Sequence, residues 1–180
     1  LITGRALKAL DRTQQLIAVL EPHEHAFVAR GQERPNQAPG EGYSMFVEAL
    51  LKNGEVEHAA ALLQRAGGRP LYVKHFEDVL RARSPEVARR GIEALAAQSS
   101  SPRDAKFRAA MVLTDVFRNT SNEDIFEEAD QLIRSLEEDY SSASNPSPAD
   151  VFRLVRLKLA AAGLQETRSP ADARDSYEAA

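Results

Sequence analysis

The chain contains no cysteine and no tryptophan in 180 residues. Without cysteine there are no disulfides, thiolate metal sites or cysteine nucleophiles, and an intracellular setting, cytoplasmic or organellar, is the expectation. Long apolar runs are missing too. Nothing approaches the roughly 18 apolar residues of a membrane helix, and no leader-like pattern opens the chain. No segment alternates apolar and polar residues over the length of a strand, so sheet is not expected. Positive charge is not in excess: 23 Lys+Arg stand against 27 Asp+Glu, for a net charge of −4, opposite to the usual balance of a nucleic-acid-binding domain. Phosphate-loop, dinucleotide and nucleophile-elbow fingerprints are absent; "GGR" at 67–69 and "GEG" at 40–42 are too short to serve. The chain starts at Leu1 and stops within the helix-like "SYEAA", so a segment of a longer protein is expected.

What the sequence has is a recurrent tetrad. "SPAD" occurs at 147–150 and 169–172, with "SPRD" at 101–104, "SPEV" at 84–87 and "SNED" at 121–124. Serine at an N-cap accepts a hydrogen bond from an orphaned backbone N–H. Proline at the next position gives up an N–H that had no partner, and an acid at the third helical position faces the positive end of the helix dipole. Apolar residues follow at helical spacing: Val87, Ala88, Ile92 and Leu95; Ala105, Ala109, Val112, Val116 and Phe117; Ile125, Phe126, Ala129, Leu132, Ile133 and Leu136; Val151, Phe152, Val155 and Leu159. The capping role explains the tetrads where a kinase-target role for Ser-Pro does not.

Upstream, "GYSMFVEALLKNG" and "GEVEHAAALLQRAGG" each run to a glycine stop, and "PLYVKHFEDVLRAR" carries Leu71, Phe76, Val79 and Leu80. One helix is expected over Arg5–Leu20, with a short turn of helix at "EPHEHAFVARG". The Pro/Gly/Gln-rich 31–42 then divides an N-terminal unit, 1–42, from a repeat unit, 43–180. The fold class is all-α. Helix starts near 43, 55, 70, 85, 102, 122, 148 and 170 pair into units of roughly 27 to 46 residues, a helical-hairpin period. The alternative is a compact helical bundle.

Residues 43–66, "YSMFVEALLKNGEVEHAAALLQRA", and 171–180, "ADARDSYEAA", resemble helical-hairpin repeats of the tetratricopeptide and pentatricopeptide class. The resemblance spans roughly 43–180, without the Trp-x-x-Leu-Gly signature. It implies stacked antiparallel hairpins in a right-handed, α-solenoid-like superhelix that serves as a binding frame.

For chemistry, His23 and His25 lie two residues apart, a spacing that splits them between helix faces; His58 and His75 are single. The pattern calls for no catalytic residue, metal or cofactor. The expectation is a non-enzymatic protein–protein interaction module or scaffold subunit. Its partner contacts are sought at Tyr43, Phe46, Tyr72, Phe76 and Arg83, with the acids Glu127, Glu128 and Asp130 facing a partner of basic character. The alternative is an RNA-associated helical-repeat protein of an organelle or ribonucleoprotein complex. It would use the basic stretch Lys74, Arg89, Arg90, Arg103, Lys106 and Arg108.

Overall fold

In the computed structural model, which describes residues 1–34, 36–143 and 145–168, helices account for nearly all ordered structure and no strand occurs among the described residues. The elements are α1 (Ile2–Ala9), α2 (Thr13–Leu20), a short 3-10 turn (Glu21–His23), α3 (Glu24–Glu33), α4 (Glu41–Lys52), α5 (Val56–Arg65), α6 (Pro70–Leu80), α7 (Pro85–Gln98), α8 (Pro102–Thr120), α9 (Glu123–Ser141) and α10 (Pro148–Arg168).

The tetrads behave as helix starts, with local differences. At α8 the Ser101 hydroxyl accepts from the Asp104 amide at 3.2 Å. At α10 Ser147 and Asp150 form a reciprocal box: the Asp150 amide donates to Ser147 Oγ at 3.2 Å, and the Ser147 amide donates to Asp150 Oδ2 at 3.1 Å. The α7 start has Ser84 in the capping position without a side-chain bond. Ahead of α9 the cap is Asn122, whose Oδ1 accepts from Ile125 at 3.1 Å. Ser121 instead ends α8 in the left-handed region, at φ 51°. The tetrad at 169–172 lies outside the described residues. Ser101→Ala should cost about 1 kcal/mol, while Ser84→Ala, with no bond to lose, should leave the urea midpoint nearly unchanged.

Helix ends follow the glycines. Beyond α4, Glu55 donates to the Leu50 carbonyl at 2.9 Å and Gly54 to Leu51 at 3.3 Å, with Gly54 at φ 79°. This paired closure needs a left-handed residue, which glycine takes without strain. Gly67 and Gly68 close α5 in the same way. The N-terminal region departs from expectation. The predicted single helix 5–20 is broken, because Asp11 adopts φ 57° and Arg12 donates to Leu7 at 2.9 Å, the same closure built on an aspartate. A full helix, α3, follows where only a turn was expected, and the predicted 31–42 linker is loop only within 34–40, Pro35 lying outside the described residues. Leu16, Ile17 and Leu20 join the same core as α4.

Alternate helices touch. In one row α2 meets α4, α4 meets α6, α6 meets α8 and α8 meets α10; in the other, α3 meets α5 and α5 meets α7, and Arg89 reaches from α7 to Glu128 on α9 at 2.7 Å. Consecutive helices from α4 to α10 also pack on one another. The core runs between the rows and includes Phe46, Leu50, Leu63, Phe76, Leu80, Leu113, Ile133, Leu136 and Leu157, all fully buried. Polar side-chain pairs between distant helices join partners 31 to 49 residues apart among the described residues, including Arg108–Glu77 at 31, Lys52–Asp11 at 41 and Arg153–Asp104 at 49.

Candidate docking surface

On α10 the apolar stripe is divided between core and surface. Leu157, Ala160 and Leu164 are buried, whereas the helically spaced stripe that follows Ser147 lies outward: Val151 is 49% exposed, Phe152 63%, Val155 40% and Leu159 46%. The inward face of α10 is set by the small Ala160, Ala162 and Gly163, where α8 and α9 approach, and the bulkier stripe is left outward. An exposed apolar stripe beside polar residues is characteristic of an interaction surface.

Beside the stripe runs a groove of about 680 Å³ formed wholly by the α2-to-α10 row. Helix α6 supplies Lys74, Glu77 and Arg81, the last at its end. Helix α8 supplies Asp104, Phe107, Arg108, Met111 and Asp115, and α10 adds Phe152, Arg153 and Arg156. Each set recurs at three, four and seven residues, so each helix turns one face to the groove. Ion pairs tie the walls together: Arg108 to Glu77 at 3.0 Å, Arg81 to Asp115 at 2.9 Å and Arg153 to Asp104 at 2.8 Å. The guanidinium carbons of Arg153 and Arg156 lie 5.8 and 5.6 Å from the Phe107 ring centroid. A second cleft, of about 620 Å³, opens between the turns that end α5 and α7.

The residues singled out in the sequence distribute differently. Tyr43, Phe46, Tyr72 and Phe76 are core, none more than 2% exposed, and Tyr43 meets Tyr72 edge-on at 4.7 Å between centroids. Their burial leaves them no outward surface: Tyr43 and Tyr72 pack on each other between α4 and α6, and Phe46 packs between Phe27 of α3 and His58 of α5. Arg83 lines a small cleft against α1 and α4, away from the groove. Glu128 and Asp130 are ion-paired, with Arg89 and Arg134, while Glu127 is exposed on α9. The basic stretch does not form one basic face. Lys74 pairs with Asp78 at 2.8 Å, Arg90 with Glu57 at 2.6 Å and Arg108 with Glu77. Arg103 lies 3.7 Å from the Tyr140 ring centroid and donates to the Asp139 carbonyl at 2.8 Å. Lys106 is exposed near that carbonyl's residue. Of these residues only Lys74 and Arg108 enter the groove. Phe107 and Met111 on the polar face of α8 were the signal that a second apolar line existed there.

One polar cluster joins α3 to α5. His58 Nε2 lies 2.9 Å from Glu24 Oε2 and Nδ1 lies 3.4 Å from Glu55 Oε2, while Arg65 also pairs with Glu24. Two carboxylates on two ring nitrogens call for both nitrogens to donate, which only the imidazolium does. Burial pulls the His58 pKa down, but Glu24 and Glu55 outweigh it and hold it above the ordinary histidine value. Burial likewise pushes Glu24 up, and His58 and Arg65 overcome it. A raised histidine pKa stabilises the fold fully below the unfolded value of about 6.5, and this contribution is lost as pH rises through the folded pKa. His75 works in the opposite window: burial lowers its pKa, so its contribution is lost as pH falls below about 6.5. Urea melts taken as pH rises from about 6.5 should therefore show stability falling with pH in the parent chain and a flatter profile in His58→Ala. Equal slopes would refute the latch.

Among the described residues no group of three or more His, Asp or Glu is arranged to hold a metal, and no helix is long and apolar enough to cross a membrane. His23 and His25 are both exposed. Compared with known proteins, the chain matches no family model, no curated protein and no solved structure.

Proposed function

We propose that this chain is a non-enzymatic protein–protein interaction module, a scaffold subunit of a larger assembly, built as a stack of helical hairpins of the tetratricopeptide-like kind. The helix contacts support the stack: from α4 to α10 each helix packs on the next, alternate helices meet along α2–α4–α6–α8–α10 and α3–α5–α7, and polar pairs between distant helices, such as Arg108–Glu77 and Arg153–Asp104, join residues 31 to 49 apart, within the range of helical-hairpin repeat lengths. The observation that carries the function is the outward stripe Val151, Phe152, Val155 and Leu159 at the edge of the α6–α8–α10 groove. Stacked helices present extended faces of this kind to partners. The RNA alternative is weakened by the acids that pair with Arg89, Arg90 and Arg108.

The test is amine cross-linking of the protein in its native extract, read by mass spectrometry. Partner cross-links should concentrate on Lys74 and Lys158, which belong to the α6 and α10 row. Cross-links confined to Lys8 on α1 and Lys52 on α4, or none to any protein, would refute it.

A further inference from the structure

We propose that the α6–α8–α10 groove takes an acidic segment of a protein partner that also presents a bulky apolar side chain; this rests on the interaction-module reading above. Two features of the lining make the case, and the first is charge. The groove wall carries five cations, Lys74, Arg81, Arg108, Arg153 and Arg156, against three carboxylates. Four of the cations already have carboxylate partners. Arg156 is exposed, and among the described residues it faces only the Phe107 ring. A guanidinium held over an aromatic ring keeps its edge free for a carboxylate, and the planar fork can bind one through two parallel bonds.

The second feature is apolar. Phe107 and Met111 floor the groove and Phe152 stands at its rim, 63% exposed. A partner's aromatic or leucine side chain laid against Phe152 and Phe107 would bury that surface while its neighbouring acid met Arg156. Burial around the pair would strengthen the charged bond by excluding water. The same wall disfavours a phosphate chain. Glu77, Asp104 and Asp115 are interspersed among the bases, so a continuous polyanion would meet repulsion along it, whereas a peptide can space its carboxylates to avoid them. The cations of the groove would also speed encounter with an acidic partner, and salt would weaken that effect.

The experiment is fluorescence polarisation on the 180-residue chain with three labelled probes. One is a dodecapeptide of repeating Asp-Glu-Phe-Leu units, one the same peptide with lysine in place of each acid, and one a uridine dodecanucleotide. The acidic probe should bind best. Arg156→Ala should weaken it roughly fivefold and Phe152→Ala roughly tenfold. Both positions are exposed, and an unchanged thermal melt would confirm that each variant folds. A preference for the lysine peptide would overturn the acidic assignment, move docking toward the acids of α9 and leave the module reading standing. A preference for the RNA would overturn both. No binding of the acidic probe up to millimolar concentration, or binding indifferent to both substitutions, would overturn the assignment alone, since the cross-linking result tests the module separately.

Discussion

Phe46→Ala should unfold this protein more readily than any surface change, by about 3–5 kcal/mol, with a fall in melting temperature of roughly 10 °C. Phe46 is fully buried on α4. Its ring lies 6.3 Å from that of Phe27 on α3 and 5.6 Å, nearly perpendicular, from the His58 ring on α5. Truncation would therefore leave a cavity where three helices meet. It would also remove the apolar wall behind the His58–Glu24 latch. The cavity cannot collapse cheaply, because α4 is held from both sides: α2 and α6 flank it in its own row, and α5 crosses it. Chemical denaturation followed by circular dichroism measures the loss. The same variant decides the role of the buried aromatics. If Phe46 were a partner contact, alanine would abolish binding and leave the melt unchanged; the packing requires the reverse.

Gly91→Val should cost about 2 kcal/mol, although valine is a better helix former than glycine by a few tenths of a kcal/mol. Gly91 lies on α7 against α6, and a Cβ placed there would sit 2.5 Å from Leu80 Cδ2 and 2.7 Å from Cδ1. Leu80 is fully buried, so its methyls have no open space to move into. The clash would push α6 away from α7, and α6 carries Lys74, Glu77 and Arg81 of the groove. Stability and docking are thus expected to weaken together. Adding Leu80→Ala to Gly91→Val should recover part of the loss, because the two positions share one contact and would not behave additively. A denaturant midpoint for Gly91→Val equal to that of the parent would show that the helices separate at no cost.

Local chemistry determined the helical frame. The caps at Ser101 and Ser147, the closures at Gly54 and Gly67, and the apolar spacing of α4, α5, α8 and α9 are encoded within a few residues of where they act, because capping and helical periodicity are short-range effects. The break at Asp11 was hidden, since aspartate in a left-handed turn depends on the packing of α1 and α2 on α4 to hold it there. Which face of each helix becomes the core was a matter for tertiary structure. Phe46 and Phe76 satisfy the pattern of a contact surface and of a core equally well, and only their neighbours bury them. In α10 the bulkier stripe, Val151 to Leu159, stayed outward because the small Ala160, Ala162 and Gly163 allow closer helix approach on the other side. The basic stretch looked continuous along the chain, yet folding brought Glu57, Glu77 and Glu128 to its arginines from helices 31 to 39 residues away. Charge pairing at that range, and the groove it leaves along α6, α8 and α10, arise from how the rows stack, which no local window of sequence specifies.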